Sequence, residues 1–234
     1  MIKKILCTIC MRGNSKGIKN KNLKTINGKK LLSYTIKAAI DSKIFNEIVV
    51  SSDSLKILNA SKKLKIKNLV KRPKKLASDS SGKIPAIKHA LIQTEKKLKK
   101  KFNYIIDLDA TSPLRTKKDI IGAFKKFIQK NADNLVSVTE SRKNPYFNIV
   151  EVKNSRVQLV KKKSQNILRR QDTPKTYDLN ASIYIWKREI LLKKKTLYQK
   201  KTILYEMPQD RSFDLDNRND LEIVSFYLKK KKTK

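Results

Sequence analysis

Histidine is close to absent from this 234-residue chain: a single His89 stands beside two cysteines, one tryptophan and five glycines. A lone histidine leaves a zinc site poorly supplied and cannot anchor a Ser/His/Asp or Cys/His relay. Inside the helix-like PAIKHAL it reads as a packed or half-exposed helix residue. Two cysteines make no disulfide framework, which fits a reducing cytoplasm. They form CTIC, Cys7 and Cys10, but Thr8 and Ile9 continue an apolar run, and alternation along a strand sends the two sulfurs to opposite faces. A redox pair belongs at the start of a helix, so two structural thiols are expected. No apolar run approaches the roughly 20 residues that span a bilayer. The N-terminal apolar segment ends at Arg12 without a cleavage-type sequence, so a soluble protein with no signal peptide and no membrane insertion is expected.

Acidic residues are also scarce, 20 against 57 Lys plus Arg, for a net charge of +37. Such a balance invites nucleic acid or anionic lipid. However, 47 of the basic residues are Lys and 10 are Arg, a bias of the kind an AT-rich genome imposes, and runs such as EKKLKKK read as solvated helix faces. Aromatics are only 7%, which leaves few platforms for stacking single strands. Salt-sensitive sticking is expected, specific nucleic-acid binding is not.

What is present is a regular alternation. Strands are predicted at 4–10, 47–52, 67–71, 104–110 and 135–139, and helices at 31–40, 55–64, 84–100 and 118–129. Strand then helix at this spacing implies an α/β fold: a mostly parallel sheet with helices on both faces and ligands beyond the carboxyl ends of the strands. The later third differs. YFNIVEVKNSRVQLV (146–160) reads as a hairpin about Lys153-Asn154-Ser155, part of an insert at about 142–175 in an otherwise single domain spanning 1–234. Strands at 182–186 and 202–207 and a helix at 220–228 follow.

Three groups of residues suggest chemistry. The loop ICMRGNSKGIKNKN follows the first strand, where a phosphate-binding turn would sit. It matches neither a Walker A sequence nor GxGxxG, and its four basic residues are about what so basic a chain places in any such window. Gly13 and Gly17 carry the argument: they let the backbone turn tightly and present N–H groups to phosphate oxygens. Asp214 and Asp216, in SFDLD, read as strand-like, with both carboxylates on one face about 6.6 Å apart, close enough to share a divalent cation. Taken alone, a capping Asp beside a surface Asp is the better explanation; a triphosphate-binding loop elsewhere in the chain, which needs a magnesium site, favours the metal. Asp107 and Asp109 end YIIDLDATSPLR, at a strand's carboxyl end. Against a lysine background, Arg12, Arg72, Arg115, Arg142, Arg169 and Arg170 stand out, because Arg is the side chain for bidentate anion contacts. Some are expected to pin loops and several to face an anionic substrate.

In this order, RGNSKGIKNKN (12–22), KRP and LASDSS (71–81), DATSPLR (109–115), RRQ (169–171), NASIYI (180–185) and FDLD with NDLE (213–222) resemble the acylneuraminate cytidylyltransferase family, the CMP-nonulosonate synthetases. The resemblance implies a nucleotide-diphosphosugar-transferase type fold and a homodimer joined through the hairpin arm. It implies Mg2+ as cofactor, with CTP and an anionic nine-carbon keto-sugar acid as substrates. On that likeness Arg12, Gly13, Asn14, Ser15, Lys16, Gly17, Lys21, Asn22, Arg72 and Ser81 bind the nucleotide, with Arg12, Lys16 and Lys21 on the phosphates. Asp214 and Asp216 hold the metal and, with Arg12 and Lys21, form the catalytic set. Asp109, Arg170 and Tyr184 lie on the sugar side, Arg170 reaching into the partner's site. Sialic acid enzymes of the family typically read Gln-Pro before TSPLR, whereas this chain has Asp109-Ala110. A carboxylate only accepts hydrogen bonds, and the DLDATSPLR form is more similar to the bacterial legionaminic acid enzymes. Two alternatives stand beside this reading. One is a CMP-Kdo synthetase-like enzyme, whose usual loop lacks the KGxxxKN pattern of 16–22. The other is a non-catalytic basic nucleic-acid-binding protein, which accounts for the charge and leaves the paired aspartates unexplained.

Overall fold

The computed structural model describes residues 3–15, 17–78, 81–162, 169–193 and 196–230. Along the chain these form β1 (Ile5–Met11), β2 (Thr25–Ile26), β3 (Lys29–Lys30), α1 (Leu31–Ser42), β4 (Glu47–Ser52), α2 (Leu55–Lys63), β5 (Asn68–Lys71), α3 (Lys83–Leu98), β6 (Tyr104–Leu108) and α4 (Lys117–Gln129). β7 (Asn134–Glu140), β8 (Val150–Lys153), β9 (Arg156–Leu159), β10 (Tyr177–Lys187), α5 (Arg188–Lys193), β11 (Thr202–Glu206) and α6 (Arg218–Lys230) complete them.

Seven strands form one sheet in the order β11-β7-β10-β6-β1-β4-β5. β5, β4, β1 and β6 run parallel, and so do β7 and β11, while β10 lies antiparallel between β6 and β7. The central strands are covered on both faces, which is why β1 and β6 read as mainly apolar runs, interrupted only by Thr8 and Asp107, with no regular polar alternation. Their side chains still divide by a period of two. Ile5, Cys7, Ile9 and Met11 join one cluster with Leu32, Ile36, Ile57, Ile120 and Phe127 of α1, α2 and α4. Leu6 joins a second with Ile87 and Leu91 of α3 and Leu191 of α5, and Cys10 packs against it. The two sulfurs therefore face opposite layers, as alternation predicts. A third cluster seats α6 through Val224 and Leu228 on Leu31, Leu114 and Leu215, which brings the acidic segment before α6 beside the first loop.

The hairpin forms where expected. Among the described residues β8 and β9 pair only with each other, and Asn154 and Ser155 both take positive φ, 50° and 58°, the conformation of a two-residue type I′ turn whose twist matches the flanking strands. Val150, Val152 and Val157 are exposed on it.

β10 carries a register shift between Leu179 and Tyr184, with Ala181 at φ 50°, an uncommon conformation for a residue with a Cβ. The bend is held from both sides. Asn180 Oδ1 accepts from Ser137 Oγ (2.6 Å) and its Nδ2 donates to Ser212 Oγ (3.0 Å). Arg115, 4% exposed, donates through Nη1 to the Ser182 carbonyl and hydroxyl (2.7 and 3.0 Å) and through Nη2 to Thr35 Oγ1 and the Asp109 carbonyl (2.8 and 3.0 Å). This arginine pins α1, the end of β6 and the bend of β10 together, so it is one of the loop-pinning arginines. Burial pulls its pKa down, partly offset by neighbouring carboxylates, to about 10, which leaves it charged at neutral pH.

A second clamp positions the later acidic segment. Thr116 and Asp119 form a capping box at the start of α4, and the Asp119 carboxylate, 2% exposed, also takes Arg211 from the turn Gln209–Arg211 in a bidentate pair (2.8 and 3.0 Å). Burial pushes the Asp119 pKa up, but the hydrogen bonds from Arg211 and Thr116 outweigh it and hold the carboxyl below its usual range. A depressed folded-state pKa contributes stability above the unfolded pKa that is lost as pH falls through the folded one. Asp119→Ala is expected to cost about 3 kcal/mol by stranding Arg211 and removing the cap. It should also flatten the acid limb of the stability curve, measured as denaturation midpoints from pH 7 down to pH 3. The two thiols, whose pKa values burial raises well above the ordinary range, are expected to react with Ellman's reagent slowly in the native protein and within minutes after unfolding in guanidinium. Rapid labelling of the native protein would show the strand-1 packing to be wrong.

Candidate active site

The loop after β1 begins at the carboxyl edge of the sheet, and the last residue of β1 and the first two of the loop are each fixed from a different part of the chain. The buried Arg72, just past β5, donates Nη2 to the Met11 carbonyl. Asn22 donates Nδ2 to the Arg12 carbonyl (3.0 Å), and Asp53, just past β4, accepts the Gly13 N–H (2.9 Å) while lying 3.8 Å from Arg72. Arg72 and Asn22, expected on the nucleotide, thus also shape the loop that would hold it; Asp53 was not foreseen.

The glycines do a different job from the one expected. Neither Gly13 nor Gly17 takes a left-handed φ; Asn20 does, at 54°. A Cβ on Gly13 would lie 3.0 Å from the Ser54 Cβ, and one on Gly17 would run into the Asp216 carbonyl. Their missing side chains let the loop pack against its own protein on two sides. The Gly17 contact also joins the loop to the acidic segment almost two hundred residues later.

That segment is not the strand the alternation implied. Residues 212–216 form no strand and have no ladder partner, between the turn Gln209–Arg211 and α6. The reason is that single contacts serve in place of pairing: Leu215 N–H donates to the Thr111 carbonyl (3.0 Å), and Asp220 Oδ2 accepts from the N–H groups of Asp216 and Asn217 (2.9 and 2.8 Å). With Leu215 buried, the carboxylates on either side of it both line one cleft. Asp216 Oδ1 pairs with Lys21 Nζ at 2.8 Å, and Asp216 is 70% exposed. Exposed pairs are worth only about 0–1 kcal/mol, so Asp216 is readily reassigned to another cation. Burial raises the Asp214 pKa, reinforced by the charges of Asp109 and Asp216 and opposed by Thr111 and Lys21. Among the described residues no group of three or more metal-ligand side chains occurs. Two carboxylates crowded by like charge do fit Mg2+, which takes one or two carboxylates together with substrate phosphates.

The cleft encloses about 350 Å³. Arg12, Ser15, Lys21, Asn22, Arg72 and Ser81 line it together with Asp109, Asp214 and Asp216. Of the remaining expected residues, Asn14 and Gly17 are exposed, Lys16 lies outside the described residues, and Arg170 is exposed, donating to the Ser141 carbonyl (3.1 Å) away from the cleft. Tyr184 is 7% exposed and stacks on Trp186 beneath the cleft floor. A wider groove of about 740 Å³ runs along α1, but mainly apolar side chains and cations line it, with a few hydroxyls and a single carboxylate, Asp41, so the smaller, polar cleft is the candidate site.

One residue of the floor escaped the sequence. Lys83 Nζ lies 2.7 Å from Asp109 Oδ2 and 3.3 Å from Asp107 Oδ2, and 4.3 Å from the centroid of the Tyr184 ring. The buried Asp107 also accepts Thr8 Oγ1 (2.7 Å). Burial opposes the Lys83 charge, but the two carboxylates outweigh it and hold its pKa above the usual lysine range. Burial likewise raises Asp109, yet Lys83 and Thr111 bring it down to about 2. The available signal was a lysine opening a helix, the end where the macrodipole disfavours a cation.

The chain matches the model of a family described as "Cytidylyltransferase" over residues 6–233. It is 46% identical to the post-translational flagellin modification protein B of Campylobacter coli, over 98% of this chain and 97% of that protein. It is 43% identical to the CMP-N,N'-diacetyllegionaminic acid synthase of Campylobacter jejuni, over 96% and 94%, and 30% identical to a pseudaminic acid cytidylyltransferase of Campylobacter jejuni, over 97% of each. Among solved structures it is similar in fold to a CMP:2-keto-3-deoxy-manno-octonic acid synthetase complexed with CTP, with a TM-score of 0.70 at 14% identity over 98% of this chain and 100% of that one. A 4-diphosphocytidyl-2C-methyl-D-erythritol synthase of Anaerococcus prevotii matches with a TM-score of 0.65 at 11% identity, over 97% and 99%. With a mostly parallel sheet, a basic loop at its carboxyl edge and these relatives along almost its whole length, the chain belongs to the cytidylyltransferase family.

Proposed function

We propose that this enzyme joins the CMP moiety of CTP to a nine-carbon keto-sugar acid of the legionaminic or sialic acid class, releasing pyrophosphate. The observation that carries the reading is that a cationic loop from one end of the chain and two carboxylates from the other meet in one cleft, with the loop edge fixed residue by residue. The relatives named for legionaminic and pseudaminic acids support the class of sugar.

In this reading Arg12 and Lys21 neutralise the triphosphate, Asn22, Arg72 and Ser81 seat the nucleoside, and Asp109 receives the sugar. The sugar's anomeric hydroxyl attacks the α-phosphorus as the bond to pyrophosphate breaks, a step governed by positioning and charge. Asp214 and Asp216 would hold Mg2+, which when bound supplies charge neutralisation on the phosphates. Lys21 then exchanges Asp216 for a phosphate oxygen. The exposed valines of the β8–β9 hairpin support a homodimer formed through this arm, with Arg170 offered to the neighbouring subunit, and the free thiols fit a cytoplasmic enzyme.

The defining experiment incubates the protein with CTP, magnesium and a panel of eight- and nine-carbon keto-sugar acids and weighs the products; no CMP adduct of any nine-carbon acid would end the proposal. Asp216→Ala is expected to fold normally and lose magnesium-dependent turnover by about 100-fold or more, the scale of removing a group that stabilises transition-state charge; near-normal pyrophosphate release would remove the metal assignment. Arg12→Ala should weaken CTP binding about 10-fold in calorimetry, in keeping with the loss of a charge-assisted contact.

A further inference from the structure

We infer that Lys83 is a positioning residue for the sugar acid, locking Asp109 into an ionised, single-acceptor contact that takes one N–H or O–H group of that substrate. This rests on the function proposed above. Lys83 is the first residue of the 16-residue α3, capped by Gly82 with no acidic residue in its first turn. An ammonium there opposes the positive end of the helix dipole and is costly to desolvate, and a breach of a local rule without a packing gain marks a functional position. What offsets the cost is local: carboxylates at 2.7 and 3.3 Å and the Tyr184 ring below. Asp107, 1% exposed and tied to Thr8, has no access to substrate, so its part in the group is to hold Lys83 toward Asp109.

The acceptor count defines the contact. A carboxylate offers about four lone-pair sites. On Asp109, Oδ1 accepts both the N–H and the hydroxyl of Thr111 (3.2 and 2.9 Å), and Oδ2 faces Lys83. About one site remains, on a side chain that is 20% exposed and lines the cleft. The Lys83 nitrogen itself is shielded from solvent, so the lysine acts through Asp109 and does not meet the substrate. An acylamino N–H is a donor of the required kind, and so is a hydroxyl.

The test measures steady-state kinetics of Lys83→Met, Lys83→Arg, Asp107→Asn, Asp109→Asn and the Lys83→Met/Asp109→Asn double variant with CTP and N,N'-diacetyllegionaminic acid, after thermal melts confirm folding. Lys83→Met is expected to raise the sugar-acid KM about 30-fold, the weight of one hydrogen bond to a charged group, with kcat and the CTP KM within about 3-fold. Lys83→Arg should recover most of the loss, and the double variant should be no worse than the poorer single, because both act through one contact. An analogue with hydrogen in place of one acylamino group assigns the donor: a matching penalty that vanishes in Asp109→Asn marks the amide, and an unchanged KM marks a hydroxyl. An unaltered sugar-acid KM in Lys83→Met, a parallel rise in the CTP KM, or additive losses in the double variant would overturn the inference. If Lys83→Met does not fold, an unchanged sugar-acid KM in Asp107→Asn overturns it in the same way. Wild-type protein inactive on every keto-sugar acid would sink the functional reading and this inference together, whereas an active wild type with indifferent variants sinks this inference alone.

Discussion

A single buried guanidinium sets where the site can be. Arg115 joins three elements at one point: α1 through Thr35, the end of β6 through the Asp109 carbonyl, and the bend of β10 through Ser182. Hydrogen bonds made by a charged donor in a dry interior are among the stronger ones, and leaving either side unpaired there is costly. Holding the Asp109 carbonyl from behind leaves its side chain to face Lys83 and the cleft. Holding Ser182 fixes the departure from regular pairing at Ala181, just before Tyr184 passes beneath Lys83.

Charge in the cleft is organised differently from charge on the surface. The chain as a whole is +37, yet acidic side chains gather here: Asp53, Asp107, Asp109, Asp214 and Asp216 interleave with Arg12, Lys21, Arg72 and Lys83. Lys21, Arg72 and Lys83 each have a protein carboxylate within 4 Å, and some of those pairs are weak and exposed while others are tight and buried. The exposed Lys21–Asp216 pair is easily broken by an incoming phosphate or cation. The Lys83–Asp109 pair is not, because burial raises the cost of separating its members. Ligand entry can therefore rearrange the rim and leave the floor in place.

Most of the fold is legible in the sequence, because apolar β-branched runs and helical periodicity agree with the sheet that forms. Predicted and observed elements differ at their ends by a few residues, and the hairpin is betrayed by Asn154 and Ser155, residues suited to its two left-handed turn positions. What periodicity could not disclose is pairing between distant segments. The alternation in 212–216 mimics a strand although its backbone bonds go to Thr111 and Asp220. Arg115 is indistinguishable by type from an anion-binding arginine until its four partners are seen. Lys83 was hidden by abundance: among 47 lysines the one facing two carboxylates looks like any other. Aspartates, being scarce, stood out, and three of the four singled out as pairs line the cleft.

Gly17 lies so close to the Asp216 carbonyl that no side chain can stand between them. The loop near one terminus and the segment near the other are thus moulded to each other, and neither can drift in shape alone. A chimera that takes its last twenty or so residues from a relative would inherit a working cleft only where the donor's backbone follows the same path past that glycine, which makes the two ends of this chain a single heritable part.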